Sequence, residues 1–518
     1  ITSENMLTYN KTFATLHDIN ILAGFSTQQY EQERLMASAQ NFSTDALTFN
    51  NLGAGEVQHP SSNGVNGWSL ISYLGRINYK FKERYLLTLT GRYDGSSRFG
   101  SGNKWAVFPA LSAAWLLSNE SFMQNVGLIS NLKLRASWGQ TGNEAIGDFE
   151  YLGLVGTSNY GNEPGIAPTN LANPDLKWET TSEWNIGVDM GLLSDRLGVT
   201  AEFYQKDTDD LLLNRPVPST SGYTSVLANI GGIRNSGIEL SLRTVNVRPA
   251  RTGGLEWTTE VNLTSNDNEV TELYLDQPFG AGFINWVEVG QPLGVFYAPE
   301  YIGVDEATGV AKYADLDADG EYQYDTNGDL LWTTFPGSGD RRVVGSPHPD
   351  YYGGVRNTLS FAGFDLMGFV EFSQGAEIHN AMRLYSDDGG YFLDNKFAKH
   401  VEDYWTPTNT DGKNPSPSWF GSTGVWVESS RMLEDASYIR LQDITLGYQL
   451  PQSLNGLMRT QNARVYVSGR NLHTWSDYSG YAPDSHYGGS GSGSANLGTD
   501  FYAYPQARTI TFGFQGTW

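Results

Sequence analysis

Residues 197–206 read LGVTAEFYQK, and this stretch decides the fold class. Its apolar side chains alternate with polar ones: Leu197, Val199, Ala201 and Phe203 against Thr200, Glu202, Tyr204 and Lys206. Alternation with period two is typical of a β-strand with one apolar and one polar face. The same pattern recurs in residues 132–139 and 235–247, where the polar face carries charged side chains.

Strand length indicates what kind of sheet these segments build. The alternating segments are about 10–14 residues long, whereas globular strands have about five or six and membrane-spanning strands about 9–11. A packed core would not accept unpaired charges on the polar faces, but a wide lumen would. The sequence therefore predicts an all-β fold, an antiparallel transmembrane β-barrel. A soluble β-propeller or β-helix is the alternative.

Fifteen strands are predicted from the alternation. They are residues 4–15, 17–27, 67–81, 84–96, 105–117, 131–140, 179–192, 196–208, 235–248, 255–268, 351–362, 364–375, 437–450, 463–473 and 505–518. The pattern changes phase between Leu441 and Ile444, which predicts a β-bulge. Bacterial barrels have even strand numbers, and plugged outer-membrane transporters have about 22. We therefore expect these strands to be part of a 22-stranded barrel.

The connections alternate in length. Short turns are predicted at residues 14–17, 82–84, 193–196 and 362–364, and long loops at 28–66, 141–177, 208–234, 267–350, 376–436 and 477–504. Short periplasmic turns and longer extracellular loops are typical of outer-membrane barrels. We expect the 267–350, 376–436 and 477–504 segments to be extracellular loops, the first of them a folded unit.

Composition excludes several classes of protein. The 518 residues contain 33 Lys and Arg against 57 Asp and Glu, a net charge of −24, and they include no Cys. Nucleic-acid binders are basic, so no nucleic-acid partner is expected. A chain without Cys has neither a Cys nucleophile nor a Cys-ligated metal. No HExxH or GxSxG motif is present, so we expect no catalytic residues, no catalytic cofactor and no enzyme activity.

The C-terminal residues carry a more specific pattern. Ile510, Phe512, Phe514 and Trp518 fall on alternate positions of a strand that ends in an aromatic residue. This pattern resembles the terminal strand by which outer-membrane barrels are recognised for insertion.

Seven segments then resemble the SusC/RagA family of TonB-dependent outer-membrane transporters. They are residues 83–115, 132–143, 173–189 (NPDLKWETTSEWNIGVD), 233–240 (IRNSGIEL), 345–366, 438–451 (YIRLQDITLGYQLP) and 504–515. They follow the order of the family over nearly the whole of residues 1–518. The resemblance implies the C-terminal part of such a barrel, and we expect the plug domain and the TonB-contacting segment to be absent from it.

The resemblance also implies a function and partners. Such a barrel imports an oligomeric nutrient, a glycan or an oligopeptide, through the outer membrane of a Gram-negative bacterium. TonB energises uptake through the missing N-terminal part, outer-membrane lipid surrounds the barrel, and a SusD-like surface lipoprotein closes the extracellular side as a lid. A passive porin or an adhesin barrel without energy coupling is the alternative.

Aromatic residues in the long loops are the candidate contacts for substrate or partner. They are Trp286, Tyr297, Tyr301, Trp332, Trp405, Trp419, Trp426, Trp475, Tyr478 and Tyr481. Aromatic rings stack on sugars or peptide side chains and offer rigid contact area. The alternatives are packing within the loops, contact with a partner protein, or a place in the aromatic girdle at the membrane interface.

One acidic motif has the spacing of metal ligands. Residues 315–321 read DLDADGE, so Asp315, Asp317 and Asp319 alternate before Gly320 and Glu321. Alternate carboxylates followed by glycine resemble the start of a calcium loop, although position 12 is Thr326 and the nearest acid is Asp325. The motif predicts a structural calcium held by Asp315, Asp317, Asp319, Glu321 and Asp325. An acidic, solvated loop is the alternative.

Overall fold

The fold is described by a computed structural model that covers residues 1–46, 48–161, 163–251, 253–487 and 495–517. The chain divides into two compact units, which are described separately. The first holds residues 1–115, 135–184 and 207–232, and the second holds residues 116–134, 185–206 and 233–518. None of the helices in the described ranges combines the length and the hydrophobicity needed to cross a membrane.

Fifteen long strands, here called the wall strands, form one sheet in which each strand is hydrogen-bonded to the next along the chain. They are Thr2–Phe13, His17–Met36, Ser62–Phe81, Tyr85–Ser96, Trp105–Leu116, Ile129–Asn143, Glu179–Leu192, Leu197–Asp209, Gly232–Val247, Glu256–Glu272, Tyr351–Phe361, Phe364–Gln374, Tyr438–Gln449, Asn462–Trp475 and Thr509–Thr517. The all-β, antiparallel prediction is confirmed, and each of the fifteen predicted strands has its counterpart.

Shorter elements lie in the connections. The strands are Ala39–Phe42, Gly55–Gln58, Val155–Thr157, Ile166–Pro168, Leu212–Pro216, Ser225–Asn229, Phe279–Gly280, Asn285–Val287, Val295–Pro299, Tyr301–Val304, Ala311–Ala314, Trp332–Thr333, Arg341–Gly345, Glu377–Asn380, Leu433–Asp435 and Thr499–Asp500. The α-helices are Arg383–Ser386, Ala398–Glu402 and Gln452–Met458. The 3-10 helices are Thr48–Asn50, Leu52–Ala54, Leu117–Asn119, Ser121–Met123, Ser219–Ser221, Tyr274–Asp276, Ser338–Asp340 and Ser430–Met432.

Two predicted loops have wrong boundaries. Residues 28–66 do not form one loop, because the second wall strand continues to Met36 and its residues 30–36 pair with residues 62–68. The side chains of residues 30–36 are exposed, so neither face needs apolar residues and the alternation fades. Likewise, the wall strand that begins at Glu256 continues to Glu272, so the long loop starts after residue 272 and not at 267.

The short turns and the bulge agree with the sequence. Tight reversals at Ala14, Lys82 and Leu193 place non-glycine residues at positive φ, between 48° and 54°. In the Tyr438–Gln449 strand the register shifts between Leu441 and Asp443, so one residue is left out of the pairing on both sides. This extra residue confirms the bulge that the change of phase predicts.

One face of the first unit's sheet is apolar and exposed. Ile21, Ile77, Leu89 and Leu111 lie opposite one another on four neighbouring strands, and 38–45% of each side chain is exposed. Exposed apolar patches of this kind mark an interaction surface. On a sheet with these long strands, the surface suits the hydrocarbon of a membrane.

Aromatic rows lie on either side of this apolar row. Phe25, Tyr73 and Tyr93 form the first row, with ring centroids 5.3 and 6.5 Å apart. His17, Phe81, Tyr85 and Trp115 form the second, with ring centroids 4.8, 6.2 and 6.2 Å apart. The rows are eight residues apart, about 27 Å along the strand, or about 20 Å along a membrane normal at a tilt of about 40°. This spacing resembles the two aromatic girdles of a membrane barrel.

The opposite face is polar. Thr88 donates a hydrogen bond to Asn78 (2.9 Å), which donates another to Asn20 (3.0 Å). In the second unit, Glu260 lies 3.6 Å from both Arg243 and Arg356. These charges are paired with each other, so this face can line an aqueous lumen.

The two faces predict different responses to a new charge. Leu89→Lys should lower the free energy of unfolding by about 2–4 kcal/mol, because Leu89 lies midway between the aromatic rows. Thr88→Lys, the control on the polar face, should lower it by much less. Guanidinium unfolding of the protein inserted in phospholipid vesicles measures both. Equal losses would contradict the assignment of faces.

Candidate functional site

The long segments of the second unit fold onto one another. Glu377–Asn380 pairs antiparallel with Leu433–Asp435 and parallel with Thr499–Asp500. The 376–436 and 477–504 segments therefore share a small three-stranded sheet. A loop that builds a sheet with another loop is held in a defined conformation.

The third long segment joins through buried hydrogen bonds. Asn285 is 1% exposed, and its amide donates to the carbonyl oxygens of Gly294 (2.9 Å) and Leu497 (2.8 Å). The hydroxyl of the buried Tyr313 donates to the carbonyl oxygen of Gly424 (2.8 Å). We call residues 273–350, 376–436, 477–487 and 495–504 together the loop assembly.

Ion pairs lie inside the loop assembly. Asp387 and Asp388 are 0% exposed. Arg383 lies 2.6 Å from Asp387 and 3.2 Å from Glu434, and Lys396 contacts Asp388. Buried charges need paired, hydrogen-bonded partners, since removal from water costs several kcal/mol for each ion. These pairs therefore require the segments around them to keep one arrangement.

An arginine attaches the loop assembly to the wall. Arg440 of the Tyr438–Gln449 strand is 4% exposed and binds both carboxylate oxygens of Asp484, at 2.8 and 2.6 Å. The guanidinium also lies 4.7 Å from the ring centroid of Tyr438. A two-point contact between Arg and a carboxylate fixes direction as well as distance. The 477–487 segment is therefore fixed to a wall strand.

A buried histidine lies where the strands of the loop assembly meet. His379 is 0% exposed, and neither ring nitrogen has a hydrogen-bond partner in the described residues. Burial lowers its pKa to about 3, and the nearby positive charge of Arg383 contributes. The Glu428 carboxylate lies 3.5 Å from Nε2, and burial raises the pKa of Glu428. The imidazole is therefore neutral at pH 7, and burial works against a charge on either member of the pair.

Six of the ten predicted aromatic residues pack within the assembly. Trp286 stacks on Tyr297 at 4.6 Å, and Trp426 stacks on Tyr391 at 5.2 Å. The polar groups of Trp405, Tyr301 and Tyr478 donate to Glu306 (3.0 Å), Lys413 (3.0 Å) and Asp500 (2.7 Å). Burial is the main cause that raises the pKa of both Tyr301 and Tyr478. These six side chains take part in intraloop packing, which was the alternative to a binding role.

The other four are exposed. Trp332, Trp419, Trp475 and Tyr481 are 41, 65, 52 and 69% exposed, so they remain candidates for substrate or partner contact. Leu393 and Phe420, which are not among the residues predicted from the sequence, are 87 and 86% exposed. Apolar side chains exposed to this degree on an ordered loop are typical of a surface that another molecule covers.

The acidic motif forms turns. Asp317 accepts backbone hydrogen bonds from Asp319 (2.9 Å) and Glu321 (3.0 Å). Asp325 accepts them from Asn327 (2.7 Å) and Asp329 (2.9 Å), and these bonds lower its pKa. Asp side chains that accept hydrogen bonds from the backbone of their own turn are typical of such Asp-x-x-Gly turns.

No cluster of three or more possible metal ligands occurs in the described part of the chain. The structure therefore does not bring Asp315, Asp317, Asp319, Glu321 and Asp325 together as a ligand set. The calcium site stays a prediction.

The C-terminal strand is placed as expected, but it is shorter. It begins at Thr509 and not at residue 505, and Trp518 lies outside the described residues. Ile510, Phe512 and Phe514 are 62, 82 and 48% exposed. Their role in barrel insertion stays a prediction.

The chain is similar in sequence to a known family of outer-membrane receptors. The profile of the family described as "TonB dependent receptor-like, beta-barrel" matches residues 2–472. Two TonB-dependent receptors of Formosa agariphila are each 35% identical over 99% of this chain, which covers 51% and 53% of their lengths. SusC of Bacteroides thetaiotaomicron is 31% identical over 86% of this chain and 43% of its own length.

Among solved structures, the RagAB peptide transporter is similar over 99% of this chain and 55% of that chain, with a TM-score of 0.87 and 28% identity. These findings confirm the SusC/RagA resemblance, the β-barrel fold and the expectation that the chain is not an enzyme. The chain spans about half the length of the curated relatives it matches.

The buried tyrosine gives one test of the assembly. Tyr478→Phe removes a donor to the fully buried Asp500, so opening of the 477–487 segment should become easier by about 1–3 kcal/mol. Hydrogen exchange of the Tyr487 amide, which donates to Thr499 (2.8 Å), measures the change. Tyr481→Phe, at an exposed position, should have no effect. Unchanged exchange in Tyr478→Phe would show that this bond does not hold the segment.

The buried histidine gives a second test, which depends on pH. Its pKa of about 3 lies below the ordinary value of 6.5, so the opened loops bind more protons between these values. Stability of the assembly should therefore fall as pH drops through this window, by up to about 1.4 kcal/mol per pH unit. The raised pKa of Glu428 acts in the opposite direction above its ordinary value, so the test uses the Glu428→Gln background.

Hydrogen exchange of the His379 amide, corrected for intrinsic rates and measured from pH 4 to 7, reports the effect. The amide donates to Gly498 (2.7 Å) at the junction of the strands. Adding His379→Leu to Glu428→Gln should remove the pH dependence. If the exchange still depends on pH in the double variant, groups other than His379 cause the pH dependence.

Proposed function

This chain belongs to the TonB-dependent receptor β-barrel family, and from that premise we propose that it forms the wall and outer loops of an active nutrient importer. The cargo is an oligomer, either a glycan or an oligopeptide. TonB energises uptake from the periplasm of a Gram-negative bacterium. The exposed apolar rows between aromatic girdles support a place in the outer membrane, with the polar face towards the lumen.

One observation carries the proposal. The long connections of the second unit form a single folded assembly, whereas closing a barrel needs only short turns. Ordering each loop residue costs about 1–2 kcal/mol in backbone entropy, so loops of this length are kept ordered by their own packing and by what they bind. Ordered loops that present exposed apolar residues are suited to a partner or cargo.

We propose further that a SusD-like surface lipoprotein covers this assembly. Its proposed seat lies on the 376–436 segment, where residues 389–391 pack close to residues 417–426. Trp419 and Phe420 of the second stretch, and Leu393 just beyond the first, are exposed to solvent. Large aromatic side chains such as Trp419 and Phe420 are enriched in the cores of protein interfaces.

Partner retention tests the lid. The complex is extracted from cells in a mild detergent, and the proteins that remain bound are identified by mass spectrometry. Trp419→Ser combined with Phe420→Ser should reduce the retained lipoprotein at least tenfold, because both side chains lose their buried contact. Tyr160→Ser, at a 91% exposed aromatic outside the assembly, is the control. A barrel that comes out alone from wild-type cells would rule out the lid.

Energy coupling separates the importer from a passive porin or adhesin. Uptake of a labelled oligomer by cells should stop when TonB is deleted or the proton gradient is collapsed. Uptake that continues under both conditions would favour the porin.

A further inference from the structure

The row of rings at the short-turn end of the first unit continues onto the first wall strand. Phe13 pairs with His17, and His17 pairs with Phe81. Phe81, Tyr85 and Trp115 extend the row over the next strands. We call Phe13, His17, Phe81, Tyr85 and Trp115 the rim row.

Two lysines lie on the rim row. The Lys11 ammonium is 5.2 Å from the centre of the Phe13 ring, and the Lys82 ammonium is 5.1 Å from the centre of the Phe81 ring. Neither ammonium lies within 4.0 Å of a carboxylate in the described residues, and both side chains are exposed. Neighbouring strands are about 4.8 Å apart, so the two rings and their lysines lie within about 10–15 Å.

The acids at this end are bound elsewhere. Asp18 lies 3.0 Å from Lys80 and accepts a hydrogen bond from Thr12 (2.6 Å). Glu83 lies 3.7 Å from the same Lys80. By strand alternation, Thr12, Asp18 and Lys80 point to the polar face. The apolar face of the rim therefore carries positive charge that these acids do not neutralise.

The surface next to the rim row is apolar. The row of Ile21, Ile77, Leu89 and Leu111 lies four residues further along the strands, about 13 Å away. The two lysines, the rim row and the exposed apolar strip therefore follow one another along the surface. This order matches the charged headgroup, the glycerol and the acyl chains of an anionic lipid. Its phosphate would meet the ammonium groups, its glycerol the rings, and its acyl chains the strip.

We propose that Lys11, Lys82 and the rim row form a binding site for an anionic glycerophospholipid. The site rests on the proposed function, since it requires the apolar face to lie in a membrane and the short turns to face the periplasm. At that side the barrel meets the glycerophospholipid leaflet. Free phosphate would gain nothing from the apolar strip. Lysines that only anchor the barrel at the membrane interface would show no preference between lipid headgroups. A specific site would prefer an anionic headgroup, so the two cases can be distinguished.

Native mass spectrometry of the detergent-purified, delipidated protein tests the site. The probes are phosphatidylglycerol and phosphatidylcholine with identical acyl chains. Wild type should retain phosphatidylglycerol at least fivefold more than phosphatidylcholine, and 0.5 M salt before analysis should reduce the difference. Lys11→Gln with Lys82→Gln should abolish the preference. Lys11→Arg with Lys82→Arg should keep it, and Lys312→Gln in the loop assembly should have no effect.

Three outcomes would overturn the site. They are equal retention of the two lipids by wild type, an unchanged preference in the double Gln variant, and tighter retention of lipid A than of phosphatidylglycerol. The shift in gel migration on heating checks that each variant is folded. A protein that fails to insert into vesicles contradicts the membrane barrel itself, whereas a protein that inserts without headgroup preference contradicts only this site.

Discussion

Backbone hydrogen bonding is the constraint on which the rest of this structure depends. In hydrocarbon an unpaired N–H or C=O group costs several kcal/mol, so each wall strand needs a partner along its whole length. Here that partner is the next strand in the chain. Because the wall is built from strands that are consecutive in the chain, the connections between them need not contribute to its hydrogen bonding. They can be two residues long, or long enough to build the loop assembly.

The wall strands could be predicted from the sequence because one face of the sheet is apolar and the other is polar. The period of two then follows from elementary geometry, as in residues 197–206. Where the side chains of both faces are exposed, as in residues 30–36, the alternation disappears and does not predict the end of the strand. The bulge after Leu441 was found for the same reason as the strands, since an added residue exchanges the two faces.

The loop assembly could be predicted only in part. An aromatic residue in a loop has the same letter whether it stacks on a neighbour, as Trp426 does, or extends into solvent, as Trp419 does. The buried charges were harder still. In sequence, Asp387, Asp388 and Arg383 resemble a solvated polar loop. Their burial depends on partners far away in the chain, such as Glu434. The acidic motif has the spacing of metal ligands and forms turns, and its calcium site stays a prediction.

The contacts within the loop assembly limit how recognition can change in evolution or engineering. Asn285 in one segment binds Leu497 in another, and Tyr313 binds Gly424 in a third. Grafting a single loop from a related receptor would leave such buried groups without partners, and the chimaera would lose order before it gained a new ligand. Recombination should therefore succeed when the three segments are exchanged as a set, although they are separated in the gene by strands that need not change.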